Sequence, residues 1–190
     1  MKLLFATNNA HKVEEVQAIL AGSDIELQTL AAFPELPEAP ETSETFEGNA
    51  LQKARFVFER TGLPCIADDS GIEVDALDKA PGVHSKRFSP EATHEANNVL
   101  LLQKLSGVAN RTARFRCVLA YVDGQHEATV SGSCEGRIAA SSQGGGGFGY
   151  DPLFLPDEVP GRSMAELSMA EKNTISHRGR AFARLPELLP

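Results

Sequence analysis

The segment Cys65-Ile66-Ala67-Asp68-Asp69-Ser70-Gly71 constrains this chain more than any other. A short run of buried-strand type ends on two adjacent carboxylates and a turn. That pattern belongs to α/β folds, in which the ligand crevice lies outside the carboxyl ends of the strands. Adjacent acids at such a place can hold a divalent cation and polarise water. Successive strand residues point to opposite faces, so the two carboxylates are expected to do different jobs. Alone, the pair is also what a capped or solvated turn would use, and the rest of the chain has to decide.

Along the chain, strand and helix periods alternate. Lys2 to Ala6 reads as a buried strand, Thr7-Asn8-Asn9 breaks it, and Val13, Val16, Ile19 and Leu20 recur at helical spacing up to Gly22. Residues 31–45, with Pro34, Pro37 and Pro40 among acids, read as a surface loop. A helix from about Phe46 to Thr61 stops at Gly62; the Cys65 strand follows, and Ile72 to Asp75 alternates. Ser89 before Pro90 is expected to cap a helix that closes at Gly107. Ala113, Phe115, Cys117, Leu119 and Tyr121 alternate strictly, Asp123-Gly124 signals a hairpin turn, and Glu127 to Gly132 returns. A glycine run, a short strand Leu153-Phe154-Leu155 and helical stretches after Ser163 and Ser176 complete the chain. No internal repeat or second core is visible, and the expectation is one α/β domain over residues 1–190.

A chain of this length buries roughly 70% of its unfolded surface without staples. Its 26 acidic residues against 18 Lys plus Arg, a net charge of -8, argue against direct nucleic-acid binding, so a polyanionic ligand must be gripped locally. Cys65, Cys117 and Cys134 lie far apart in apolar runs, with neither a metal spacing nor a disulfide framework, which is the pattern of reduced, buried thiols in the cytoplasm. Leu3 to Ala6 is too short for a signal segment and no run of ~20 apolar residues follows, so no membrane contact is expected.

Two helix starts carry charge of the wrong sign. In Asn9-Ala10-His11-Lys12, Lys stands where a capping box would place Glu or Gln, and Ser176 is followed at once by His177 and Arg178. Cations at the positive end of a helix are unfavourable by a few tenths of a kcal/mol up to about 1 kcal/mol, and a bound anion reverses that sign. The other reading has these side chains swing into solvent. In Gly144 to Gly149, glycines permit close backbone approach and Phe148 offers a flat face on which a base can stack, worth ~1 to 3 kcal/mol. The run is not a P-loop, since no Gly-Lys-Ser/Thr follows.

Five blocks in order then resemble one family over essentially the whole chain. They are Phe5 to Lys12, which fits a Thr/Ser-x-Asn-x-x-Lys signature; Thr45-Phe46 with Asn49-Ala50 and Lys53-Ala54; Ala67 to Gly71; Gly147 to Pro152; and Lys172 with Ser176 to Gly179. The sequence resembles the non-canonical purine nucleoside triphosphate pyrophosphatases, also called inosine or xanthosine triphosphate diphosphatases. The resemblance implies an elongated, two-lobed α/β domain around a long mixed sheet with flanking helices and a cleft between the lobes. It also implies Mg²⁺ as cofactor and a homodimer. Carried over by position, it assigns triphosphate binding to Thr7, Asn8, Asn9, Ala10, His11 and Lys12, with Lys53 a further phosphate candidate. Asp69 would be general base and metal ligand, with Ser70 beside it on the substrate; Glu41 would be a metal ligand and Asp68 a supporting one. Phe148, Gly149, Tyr150 and Asp151 would bind the nucleoside, Lys172 the substrate, and His177 and Arg178 the base.

The implied reaction is Mg²⁺-assisted attack of water on the α-phosphorus of ITP, dITP or XTP, giving the monophosphate and pyrophosphate and cleansing the nucleotide pool. Arg178 or a protonated His177 would donate to the purine 6-carbonyl. One departure is Gly48, where many members carry Glu; Glu47, ~100° round a helix, is only a partial substitute. Two rivals are disfavoured. The Maf-like pyrophosphatases open with Ser-x-Ser-x-x-Arg where this chain has Thr7-x-Asn9-x-x-Lys12, and a catalytically dead nucleotide sensor would not need Asp69, Glu41 and Lys12 together.

Overall fold

The computed structural model describes residues 1–190. In chain order the elements are β1 (Lys2–Phe5), α1 (Ala10–Ile19), β2 (Glu26–Thr29), α2 (Phe46–Thr61), β3 (Cys65–Val74), α3 (His94–Lys104), β4 (Thr112–Val122), β5 (Glu127–Ile138), β6 (Phe154–Pro156), α4 (Met169–Ile175) and α5 (His177–Ala183). The strands form one six-stranded sheet in the order β2-β1-β3-β4-β5-β6. β1 runs parallel to both β2 and β3, and β5 antiparallel to β6, so the fold is α/β with a mixed sheet. No helix is long and apolar enough to cross a membrane.

The chain clusters into two compact units, the first comprising Met1–Asp69, Cys117–Gly132 and Arg178–Pro190, the second Ser70–Arg116 and Ser133–His177. Each has its own apolar core, where sequence reading detected only one. In the first, Leu3, Phe5, Val16, Ile66, Leu119 and Phe182 pack together, Phe5 meeting Phe182 edge-on at 5.8 Å. In the second, Ile72, Leu101, Phe115, Leu153, Phe154 and Met164 do so.

Local chemistry explains the elements that were read correctly. The Thr45 side chain accepts from Gly48 N to start α2, and Gly62 ends it in the left-handed region at φ 67°. The β4–β5 hairpin turns at Asp123, whose Oδ1 accepts from the N–H groups of Gln125 and His126.

Three expectations need correction. The acid pair does not end a strand, because β3 continues through Asp68-Asp69-Ser70-Gly71 as a single ten-residue strand. The helix expected from Ser89 begins instead at His94: Ala92 has φ 52°, which breaks a helical run, and Thr93 Oγ1 caps Ala96 N at 3.1 Å. The stretch after Ser163 is a single 3₁₀ turn with a capping box, and Ser168 opens α4. β2 adds a short strand that the sequence pattern did not suggest.

Candidate active site

β3 places Asp68 and Asp69 on opposite faces, and within the first unit each finds different partners. Asp68 Oδ1 accepts from Lys12 Nζ at 3.1 Å, while Oδ2 accepts from Arg178 Nε at 3.2 Å and Nη2 at 3.0 Å. Arg178 Nη1 continues to Glu15 Oε2 at 2.5 Å. Lys12, Asp68, Arg178 and Glu15 thus form a chain of alternating charge, with Arg178 only 1% exposed. Asp69 belongs to a second cluster. Its Oδ1 accepts from Lys53 Nζ at 3.1 Å and its Oδ2 from Asn49 Nδ2 at 3.2 Å, and the same Lys53 ammonium reaches Glu41 Oε1 at 2.8 Å.

These partners drive the two carboxyls apart. Burial alone would raise both. At Asp68 the charges of Lys12, Arg178 and Lys53 outweigh burial and hold the group well below the usual carboxylate range. At Asp69 burial prevails over the attraction of Lys53 and Lys12, and the nearby Glu41 charge adds to it, so the pKa is raised. Lys12 is lowered by burial, with the repulsion of Lys53 and Arg178 adding to it, against the attraction of Asp68. Lys53 is raised, because Asp69, Asp68 and Glu41 overcome its burial. One strand therefore carries a fixed anion and, next to it, a carboxyl disposed to take up a proton, the division expected of a structural acid and a base.

The Thr7–Lys12 segment forms the start of α1. Asn9 caps the helix, its Oδ1 accepting from His11 N at 3.0 Å and Lys12 N at 3.3 Å, and Thr7 Oγ1 accepts from Asn9 N. Two of the main-chain donors expected to meet an anion are thus already bonded to Asn9. Asn8, Ala10 and His11 are exposed.

No three His, Cys, Asp or Glu side chains converge as a ready metal cage. Glu41 and Asp69 nevertheless already meet across one cation, the Lys53 ammonium. Two carboxylate donors suit a hard divalent ion that takes its remaining ligands from phosphate and water. Asp68, the supporting candidate, has both oxygens on Lys12 and Arg178. Glu47 accepts instead from Thr129 Oγ1 at 3.0 Å and does not stand in for a side chain at residue 48.

The glycine-rich loop and Lys172 lie in the second unit. Asp151 Oδ2 accepts from Phe148 N at 2.9 Å and from Lys172 Nζ at 2.6 Å, and that ammonium stands 5.0 Å from the centre of the Phe148 ring. Gly147 is required here: at φ 67°, a Cβ would come within 2.1 Å of Asp151 Oδ2. Asn98 on α3 donates to the Gly149 carbonyl at 3.0 Å, and His94, one turn earlier, faces Phe148 at 6.2 Å between ring centres. Tyr150 is buried, and its hydroxyl donates to the Ser85 carbonyl at 2.7 Å, the contact of a tether. His177 stacks on Phe115 at 4.7 Å, and Ser70 is half-buried on β3.

Arg178, expected to donate to a base carbonyl, places three of its five N–H groups on carboxylates. Two residues escaped sequence reasoning. Glu15, 5% exposed on α1, holds the far side of Arg178, and its only sequence signal is an acid beside the apolar Val16. Asn49 was part of a matched block without a role, and it joins Asp69 to the Ser43 main chain, whose N–H donates to Asn49 Oδ1 at 2.9 Å.

Known proteins resemble this chain from end to end. A family model described as the Ham1 family matches residues 3–188. The chain is 49% identical to a dITP/XTP pyrophosphatase of Exiguobacterium sp. over 100% of this chain and 98% of that protein. It is 50% identical to one of Geobacter sulfurreducens over 99% and 96%. Among solved structures, a HAM1 protein from Coxiella burnetii superimposes with a TM-score of 0.88 at 38% identity, over 98% of this chain and 97% of that one. A nucleoside-triphosphatase / dITP/XTP pyrophosphatase from Mycobacterium abscessus does so at 0.78 and 46%, over 97% and 98%. With a family model spanning nearly every residue and relatives about half identical from end to end, the chain belongs to the Ham1 family.

Proposed function

We propose that this chain hydrolyses inosine- and xanthosine-type purine nucleoside triphosphates, ITP, dITP and XTP, to the monophosphate and pyrophosphate. Such an activity removes them from the pool before they enter DNA or RNA. The observation that carries the reading is Asp69, a buried carboxyl with a raised pKa, held by Lys53 and Asn49 with Glu41 on the same ammonium. The activity named for its close relatives supports it.

In this mechanism Asp69 accepts a proton from the attacking water as the water oxygen bonds to the α-phosphorus. The bond from that phosphorus to the bridging oxygen breaks, and pyrophosphate leaves with the electron pair. Mg²⁺, held by Glu41 and Asp69, would supply charge neutralisation at the phosphate oxygens. Lys12 and the start of α1 add to that neutralisation, and Lys53 keeps the two carboxylates aligned. Asp68 is fixed as an anion by Lys12 and Arg178, and its role is to hold Lys12 in place. In the second unit Phe148 offers the stacking face, while Asp151 sets both its main chain and Lys172. Donation to the 6-carbonyl is assigned to Arg178, which places three of its five N–H groups on Asp68 and Glu15, or to His177. A homodimer in the cytoplasm belongs to the same proposal.

The test is a panel of ITP, XTP, dITP, ATP and GTP with Mg²⁺, resolving pyrophosphate from orthophosphate. One or two mismatched buried hydrogen bonds predict a preference for ITP over ATP of ~10²-fold or more in kcat/KM. Equal hydrolysis of ATP and ITP, or release of orthophosphate, refutes the proposal.

A further inference from the structure

The segment Glu41–Thr45 is strapped to α2 by a ladder of contacts that runs antiparallel to the helix. Glu41 Oε1 accepts from Lys53 Nζ at 2.8 Å. Thr42 N donates to Gln52 Oε1 at 3.0 Å, and Gln52 Nε2 donates back to Thr42 Oγ1 at 3.0 Å. Ser43 N donates to Asn49 Oδ1 at 2.9 Å, and Gly48 N donates to Thr45 Oγ1 at 3.1 Å. Asn49 and Lys53 are also the two partners of Asp69, so the strap and the candidate base share their anchors.

The ladder closes only because residue 48 is glycine. A Cβ there would stand 2.0 Å from Ser43 Oγ, 2.7 Å from Ser43 Cβ and 3.0 Å from Thr45 Oγ1. Ser43 Oγ can rotate away, but Ser43 Cβ can retreat only if the strap main chain lifts off the helix. Gly48 has no left-handed backbone to explain it, and glycine is a poorer helix former than alanine. Close approach is what the position requires.

We infer that Gly48 is a positioning residue: it lets the strap seat on α2 and thereby sets the Glu41 carboxylate beside Lys53 and Asp69, forming the two-carboxylate site for a divalent cation before nucleotide arrives. The inference rests on the assignment of Glu41 and Asp69 proposed above. It carries an unexpected corollary, that adding a carboxylate by Gly48→Glu weakens cation binding, because the added side chain displaces a better-placed one.

The experiment is titration of nucleotide-free protein with Mn²⁺, following free Mn²⁺ by electron paramagnetic resonance, alongside thermal melting. Gly48→Ala is expected to raise the Mn²⁺ Kd by ~10-fold or more, the loss typical when residues that orient metal ligands are disturbed, without lowering the melting temperature, because alanine favours the helix. Ser43→Gly in the Gly48→Ala background removes the two closest atoms in conflict and is expected to recover most of the affinity. Gln52→Ala, which cuts two rungs without touching the helix start, should weaken Mn²⁺ in the same direction. The inference is overturned if wild type binds no Mn²⁺, if Gly48→Ala binds as tightly as wild type, or if the Ser43→Gly double variant stays as weak as the single. Cation binding without nucleotide is independent of the nucleotide panel, so failure here and failure of the proposed reaction are separately visible.

Discussion

Replacing Arg178 by methionine should destabilise this protein far more than the loss of a surface arginine. Arg178 is 1% exposed and joins two buried carboxylates, with contacts at 3.2 and 3.0 Å to Asp68 and 2.5 Å to Glu15. Methionine fills much of the aliphatic volume but leaves both acids without this partner. Removing one member of a buried ion pair costs about 3–5 kcal/mol. Lys12 still holds the other oxygen of Asp68 at 3.1 Å, which places the expected loss in the lower half, about 3–4 kcal/mol. For a chain of this size that is a fall in Tm of roughly 6–16 °C.

The pH dependence gives a second handle on the same variant. In wild type the depressed pKa of Asp68 contributes stability that is complete above the ordinary carboxylate value, about 3.9, and is lost as pH falls below it. In the variant a buried carboxylate that has lost the guanidinium gains by taking up a proton, so the deficit should shrink on going from pH 7 to pH 5. Urea unfolding followed by circular dichroism at both pH values measures this, the chain having no Trp. Adding Glu15→Gln should restore roughly 1 kcal/mol, because neighbours in one network couple by about 0.5–3 kcal/mol. A loss under about 1 kcal/mol, or a deficit that grows on acidification, would refute the reasoning.

Asp69→Asn should keep the fold, since an amide oxygen still accepts from Lys53, but lower kcat by ~10²-fold or more, and EDTA should abolish wild-type activity reversibly; near-normal turnover in either assay contradicts the assigned role. Lys12→Ala should weaken triphosphate binding by more than ~1 kcal/mol. Because Lys12 also neutralises the buried Asp68, the variant should melt lower, whereas the helix dipole alone would make it melt higher; calorimetry with a non-hydrolysable nucleotide and a melting curve decide. A thiol reagent at pH 8 should label none of Cys65, Cys117 and Cys134 in the native protein, since all are buried and burial pushes Cys65 up to about 12; rapid labelling would show otherwise.

Elements bounded by a glycine stop or a turn signal were legible in the sequence. α2 announced itself by its stop at Gly62, and the β4–β5 hairpin by strict alternation around Asp123-Gly124. What stayed hidden depends on distant partners. Ser70-Gly71 looks like a turn locally, yet β3 continues because Lys12, 56 residues from Asp68, and Arg178, 110 residues from it, neutralise the acid inside a strand. Ser89-Pro90 satisfies the local rules for a helix start, and only the conformation of Ala92 overrules them. β2 is four residues at the sheet edge, defined by its register with β1 more than by its composition. The site followed the same rule: residue types were readable, but who pairs with whom was not, and Glu15, 163 residues from Arg178, could not have been matched to it by spacing.

Because Asp68 and Asp69 sit in mid-strand, their roles are a matter of parity. β3 is locked to β1 with Cys65 opposite Leu4 and Ile66 opposite Phe5. Inserting or deleting one codon between Ile66 and Asp68 would turn every following side chain to the other face. The carboxyl that Lys12 and Arg178 keep ionised would be carried to the side of Lys53 and Asn49, and the proton acceptor to the side of Lys12. Substitutions along this strand can be graded by size and polarity, but a change in its length by one residue would exchange the two acids outright.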